Sequence, residues 1–392
     1  MSKKTIVVKI GSSLLTDQKR LTPRWGFIQR IMEDFALLKE QGYDILLCSS
    51  GSVALGMRMM GVSPETAGLR DKQASAACGM PLLLNAYKQI GHEYDLNIAQ
   101  ILVTLDDFEV HSRFLNTKNT LTRLLQAGVV PIINENDTIT TEEIRVGDND
   151  RLAAKVAQMV LADHLIILTS VDGLYDKDPS DPEARLVEEV QDVSEYLSVT
   201  EGVSTLGSGG MLTKLQAANM AQNSGCNTII ANGEADAPVS SALFGERPRT
   251  ICLAHAEPLA TWHTWLSERL HVAGSIVVHT AAADAVAAGE RGIQREDVIR
   301  VEGPYLKGDV IHIYDEEGTE RARGMSDFTS EETDILVRNL DIPVKQLLGY
   351  HSRAVLVELN NLTSLDERHI PWEQPEPAKA RSFEPFPDET SN

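Results

Sequence analysis

Short apolar runs alternate with longer amphipathic stretches over the first 255 or so residues. Runs at 5–10, 44–49, 97–104, 129–133, 164–169, 227–231 and 250–253 are rich in Val, Ile and Leu and carry little polar alternation, so they predict strands buried on both faces. The stretches from Trp25 to Gln41, Asp71 to Gly91, Arg113 to Ala127 and Asp150 to Ala162 carry the helical period. Strands alternating with helices predict an α/β fold: a mainly parallel open sheet sandwiched by helices. Thr138 to Val146 is short, polar and β-branched, and predicts a hairpin projecting over the sheet.

The pattern changes after Ala254. Residues 256–273, with Trp262 and Trp265, read as a linker or connecting helix. From Gly274 to about residue 352, short strands such as Ser275 to His279, Val298 to Val301 and Val310 to Tyr314, and a turn at Asp315-Glu316-Glu317-Gly318, predict a small β-rich domain. Residues 365–392 are rich in Pro, Glu, Ser and Asp, have little to bury, and predict a disordered tail. The expected organisation is thus a large α/β domain over 1–255, a linker, and a β-rich domain over 274–352.

Charge narrows the classes. The net charge of −21, from 36 Lys or Arg against 57 Asp or Glu, disfavours a general nucleic-acid binder. The four cysteines, Cys48, Cys78, Cys226 and Cys252, show no C-x-x-C spacing and read as free thiols in a reducing compartment. No apolar run approaches the roughly 18 residues of a membrane span, and Met1-Ser2-Lys3-Lys4 does not open a secretory leader; a cytoplasmic location is expected.

Candidate chemistry lies where the strands end. Thr5-Ile6-Val7-Val8-Lys9-Ile10-Gly11 delivers a cation beside a bare turn, an arrangement suited to phosphate. Cys48-Ser49-Ser50-Gly51-Ser52 links the second strand to a helix through small residues that let backbone approach a ligand. Gly207-Ser208-Gly209-Gly210-Met211-Leu212-Thr213-Lys214 opens another helix and presents free N–H groups, although it is not a Walker A sequence. Asn134-Glu135-Asn136-Asp137 and Gly147-Asp148-Asn149-Asp150 bracket the hairpin; crowded carboxylates there call for a cation or a ligand amine. Asp150 also suits a helix N-cap. The turn residues from Thr169 and Ser170 to Pro179 follow the fifth strand and would shape a nucleotide pocket.

Taken together and in this order, VVKIGSS, SSG, INEND, VGDND, TSVDGLYDKDP and GSGGMLTKLQAA resemble the amino acid kinase family over about residues 5–255, in its branch that phosphorylates glutamate. Gly274 to about Tyr350 resembles a PUA domain, through Val301-Glu302-Gly303 and Lys307-Gly308-Asp309-Val310. The resemblance implies ATP-dependent phosphorylation of the side-chain carboxylate of L-glutamate to γ-glutamyl phosphate, the first step of proline biosynthesis. By motif match, Lys9 and Lys214 flank the transferring phosphoryl and Asp150 orients both; backbone N–H groups near Gly11 and Gly51 hold its oxygens. Ser50, Gly51, Asp137 and Asn149 bind glutamate, with Asn134 and Asp148 close by. Lys9, Gly11, Thr169, Ser170, Ser208, Gly209, Gly210, Met211, Leu212, Thr213 and Lys214 serve the nucleotide, and Mg²⁺ rides on its phosphates with no ligand set assigned to the protein. Relatives often carry Asp at the position of Ser170. Inhibition by proline, a homo-oligomer and a γ-glutamyl phosphate reductase as partner are further implications.

Three competing readings remain. An acetylglutamate kinase of the same fold would need an acetyl pocket. An RNA-binding accessory protein would act through the PUA-like part, yet residues 274–350 hold eight Lys or Arg against fifteen Asp or Glu, a net charge of −7. A scaffold with a dead kinase core would have lost Lys9, Lys214 or Asp150, and all three are present.

Overall fold

The computed structural model describes residues 3–17, 19–108, 110–139, 148–179, 181–200, 210–255, 273–352 and 354–365. The chain divides into two compact units, Met1–Trp265 and Leu266–Asn392. All but the first two residues of the expected hairpin over 138–146, all but the last of the linker over 256–273 and all but the first of the tail over 365–392 lie outside the described residues.

In the first unit the apolar runs become strands within a residue or two of the expected limits. They are β1 (Thr5–Ile10), β4 (Asp44–Ser49), β5 (Ile98–Val103), β6 (Val130–Glu135), β7 (His164–Thr169), β9 (Asn227–Asn232) and β10 (Arg249–Cys252); three two-residue strands that no apolar run predicted join them, the pair β2 (Thr16–Asp17) and β3 (Thr22–Pro23), and β8 (Glu189–Val190). Eight of them form one sheet in the order β5-β6-β4-β1-β7-β9-β10-β8. Every pair from β5 to β9 is parallel, and β10 turns antiparallel against β9.

Helices cover both faces because the central strands are apolar on both. α1 (Ser12–Leu15), α2 (Trp25–Glu40), α3 (Ser52–Met60), α4 (Leu69–Glu93), α5 (His111–Gln126), α6 (Asp148–Val160), α7 (Val193–Thr200), α8 (Gly210–Gln222) and α9 (Pro238–Phe244) follow in chain order. Phe27, Ile31, Phe35 and Leu38 of α2 recur at helical spacing and pack with Tyr87 of α4 and Val239 of α9 on one face. Leu152, Val156, Ala217 and Ala221 of α6 and α8 cover the other.

Two glycines bring α3 and α4 into backbone contact. A Cβ on Gly56 would lie 1.7 Å from the Ser75 carbonyl oxygen, and one on Gly79 would lie 1.8 Å from the Ser52 carbonyl oxygen. α4 therefore bears directly on the residues that open α3.

The second unit forms a five-stranded sheet ordered β13-β11-β14-β15-β17, from β11 (Gly274–Val278), β13 (Val298–Glu302), β14 (Val310–Tyr314), β15 (Glu320–Met325) and β17 (Leu362–Ser364), with a short ladder of β12 (Ile293–Gln294) and β16 (Val355–Val357). Its own core gathers Ile276, Val278, Ile311, Ile313, Phe328, Leu336 and Val357. The expectation of a β-rich second part holds, with three helices, Thr280–Ala287, Ser330–Arg338 and the short Val344–Leu348, added to it.

Replacing Gly79 by alanine should lower stability by about 2–4 kcal/mol, since the new methyl meets backbone that cannot swing away. Gly26→Ala, inside α2 with nothing within 4 Å of the new methyl, should instead be neutral or stabilising by up to about 1 kcal/mol. Denaturant unfolding of the two variants checks the contrast.

Candidate active site

β1, β4, β6 and β7 are parallel neighbours, so their carboxyl ends open onto one edge of the sheet. From β1 the chain first builds β4, β5 and β6 to one side, then returns to place β7 and β9 on the other. A sheet that reverses in this way leaves a crevice at the strand ends.

Strand parity decides where Lys9 points. Ile6, Val8 and Ile10 enter the core beneath α2, whereas Val7 enters the core beneath α6. Lys9 shares the parity of Val7 and so projects toward α6. There its Nζ lies 2.5 Å from Asp150 Oδ1, while Lys214 Nζ, from the first turns of α8, lies 3.4 Å from Asp150 Oδ2. The three side chains are only 7%, 12% and 1% exposed for Lys9, Lys214 and Asp150. Thr213 Oγ1 donates to Asp150 Oδ2 at 2.8 Å, and Lys214 Nζ also donates to the Gly210 carbonyl at 3.0 Å, folding the lysine back over the start of its helix. Helix α6 begins at Asp148, two residues earlier than its period suggested. Asp150 is therefore not the N-cap that its sequence context allowed; its carboxylate is turned to the two ammoniums instead.

Two buried cations on one buried anion leave a net positive charge in a nearly dry place. Burial alone would raise the Asp150 carboxyl, but the charges of Lys9 and Lys214, with hydrogen bonds from Lys9 and Thr213, outweigh it and hold the group below its ordinary value. Burial lowers the Lys214 ammonium, against the pull of Asp150 and with the push of Lys9. That surplus positive charge suits an anion, and α1 and α3 begin within two or three residues of the carboxyl ends of β1 and β4. Gly11 lies beside it: a Cβ there would be 3.9 Å from Lys9 Nζ.

One flank of the triad is amide and hydroxyl. Asn149 Nδ2 donates to Ser50 Oγ at 2.7 Å, and Asn134 Nδ2 donates to Ser52 Oγ at 3.2 Å. Asn149 Oδ1 is buried with no hydrogen-bond partner among the described residues, an acceptor left for a ligand. Asp137 is buried just beyond β6. Gly51 adopts φ +99°, with Thr16 Cγ2 3.1 Å from where its Cβ would be, so both backbone and space require glycine.

The other flank is a cleft of about 230 Å³ that includes Thr169, Ser170, Tyr175, Gly210, Met211 and Lys214 among its walls. The structure thus brings together Lys9, Lys214, Asp150 and Thr213, then Ser50, Asn134 and Asn149, then Thr169, Ser170, Gly210 and Met211. Leu212 is half-buried in the first turn of α8 and is not among the cleft walls. Ser208, Gly209 and the side chain of Asp148 lie outside the described residues. Sequence reasoning missed the reach of Thr213 to Asp150 and the contact of Asn134 with Ser52. Ser52 stood in the quoted small-residue run. Among the described residues no group of three or more His, Cys, Asp or Glu is placed to hold a metal ion. No described helix is long and apolar enough to cross a membrane.

The amino acid kinase family model matches residues 4–232, and the PUA domain model matches residues 274–348. The chain is 40% identical over 365 residues to the glutamate 5-kinase of Rhodospirillum rubrum, covering 92% of this chain and 96% of that one. It is 39% identical over 366 residues to the glutamate 5-kinase of Methylococcus capsulatus, covering 91% and 96%. Among solved structures it matches carbamate kinase from Giardia lamblia bound to AMP-PNP at 19% identity and a TM-score of 0.46, over 64% of this chain and 99% of that chain. The chain belongs to the amino acid kinase family and carries a PUA domain after it.

Asp150→Asn should destabilise the protein by about 3–5 kcal/mol at neutral pH, because two buried ammoniums lose their counter-ion. The folded carboxyl titrates below its unfolded value of 3.8, so this contribution is complete above 3.8 and is lost as pH falls through the lower folded value. Denaturant unfolding of wild type and variant at neutral pH and below pH 3.8 should show the gap closing in acid.

Proposed function

We propose that this chain transfers the γ-phosphoryl group of ATP to the side-chain carboxylate of L-glutamate, giving γ-glutamyl phosphate and ADP. The Lys9–Asp150–Lys214 triad at the strand-end crevice is the observation that carries the reading, set beside the kinship with glutamate 5-kinases over nine-tenths of the chain.

A carboxylate oxygen of glutamate attacks the γ-phosphorus, the bond from that phosphorus to the bridging oxygen of ADP breaks, and ADP leaves with the electron pair. The nucleophile is ionised at neutral pH, so no general base is required. Catalysis then rests on alignment and on positive charge around the transferring group. Lys9 and Lys214 supply the charge, Asp150 holds both ammoniums at one point, and N–H groups at Gly11 and Gly51 meet the phosphoryl oxygens. Ser50, Asn134, Asp137, Asp148 and Asn149 take glutamate, with the free Asn149 Oδ1 accepting from its ammonium. Thr169, Ser170, Ser208, Gly209, Gly210, Met211, Leu212 and Thr213 take the nucleotide. Mg²⁺ would arrive on the phosphates and keep several waters, since the buried Asp150 carboxylate is already shared by two lysines and Thr213. Proline, which shares the α-amino acid end of glutamate, is proposed as an inhibitor at the same flank. Its test is turnover at millimolar proline, where an unchanged rate opposes the idea. A homo-oligomer, a cytoplasmic location and a reductase that consumes the unstable acyl phosphate complete the proposal.

The RNA reading loses ground in the second unit. Arg291, Arg295, Arg300, Arg321, Arg323 and Arg338 are each paired with a carboxylate of that unit. Six of its eight Lys or Arg over 274–350 are thereby committed before any phosphate arrives.

A hydroxylamine trap with Mg·ATP and L-glutamate, N-acetyl-L-glutamate or L-aspartate in separate reactions tests the substrate. Hydroxamate is expected from glutamate alone, and Lys9→Ala or Lys214→Ala should reduce it by about 10²-fold or more. Product from acetylglutamate or aspartate alone overturns the substrate; product from none overturns the activity. The pH profile gives a separate check. Burial lowers Lys214, so kcat/KM for ATP should fall as pH rises through a value below 10.5, and Lys214→Arg should remove that limb whatever activity it keeps.

A further inference from the structure

Tyr87 has a polar end that the reading above does not use. It sits in α4, fully buried among the apolar side chains beneath the sheet. A phenylalanine would fill nearly the same space with no hydroxyl to satisfy. The Tyr87 hydroxyl instead lies 2.9 Å from Ser49 Oγ, itself buried at the last position of β4. Ser49 Oγ is also within 3.3 Å of the Ser50 carbonyl oxygen. One proton order satisfies both contacts: Tyr87 donates to Ser49, and Ser49 donates to the Ser50 carbonyl. Burial pushes the Tyr87 phenol upward, which keeps its proton in place.

The Ser50 carbonyl belongs to the peptide whose N–H is that of Gly51. No described peptide bond is cis, so this N–H points opposite to the carbonyl. Pulling the carbonyl toward α4 therefore turns the Gly51 N–H away from α4. On the other side of the same segment, Asn149 Nδ2 holds Ser50 Oγ at 2.7 Å. The end of β4 is thus gripped from both layers, with Gly51 in its left-handed conformation between the grip and α3.

We propose that Tyr87 is a positioning residue for phosphoryl transfer: acting through Ser49, it fixes the Ser50–Gly51 peptide so that the Gly51 N–H meets the transferring phosphoryl. This rests on the glutamate kinase reading and adds a residue remote from the substrates to it. A misdirected N–H is felt most where charge develops, in the transition state, and least in ground-state binding.

Tyr87→Phe should lower kcat by about 5- to 30-fold while the KM values for glutamate and ATP stay within about twofold. Ser49→Ala, which breaks the same chain at its middle link, should do the same, and the double variant should be no slower than the slower single one. Thermal unfolding measured alongside separates activity from folding, since loss of packing lowers Tm without a selective fall in kcat. Wild-type kcat in either variant, or effects that multiply in the double variant, would overturn the proposal. If wild-type protein makes no glutamate hydroxamate, the kinase reading fails first; if it does and the variants match it, only the role of Tyr87 fails.

Discussion

One carboxylate shared by two lysines is the interaction on which the rest of this architecture depends. Asp150 is buried with the ammoniums of Lys9 and Lys214 on its two oxygens. Placing three charges out of water is expensive, and a neutral arrangement would be cheaper. The arrangement left here is not neutral, because it is one positive charge in excess. The fold keeps that excess by drawing its members from three elements whose positions the sheet fixes: β1, α6 and α8. On the proposed reading an anion delivered between the lysines completes it, and a transferring phosphoryl has the required charge.

The layers around the triad divide the labour. The side toward β4 and β6 offers small residues, amides and hydroxyls, and the side toward β7 and α8 offers a cleft with the turn after Thr169 as one wall. On the proposed reading a donor on one side and an acceptor on the other meet over the lysines. Gly56 and Gly79 let α4 press against α3, so the amide side is braced from below by backbone and not by adaptable side chains. That rigidity suits in-line transfer, where small misplacements are costly.

Much of this was legible in the sequence, and the limits have physical causes. The apolar runs gave the strands to within a residue or two because strands covered on both faces have no polar alternation to confuse them. Lys9, Lys214 and Asp150 stood out because each adjoins a strand end or a glycine-rich turn. Their convergence did not stand out. Lys214 and Asp150 are 64 residues apart, and only strand order brings them to one point. The same holds for the reach of Thr213 to Asp150. Tyr87 left no trace beyond its place on a helical stripe, since periodicity reports that a residue is buried and not what its hydroxyl touches. The start of α6 was misjudged for a related reason. Asp150 has the chemistry of a cap, and only the two distant lysines reveal that its carboxylate is engaged elsewhere.

On the proposed reading Lys9 and Lys214 act on the transferring phosphoryl more than on bound nucleotide. Titration calorimetry with Mg·ADP, with and without fluoroaluminate and glutamate, compares the two states in wild type and Lys9→Met. The wild-type protein should bind the planar phosphoryl mimic far more tightly than Mg·ADP alone. The variant should lose most of that difference while its affinity for Mg·ADP changes little. An undiminished preference for the mimic in the variant would contradict the account.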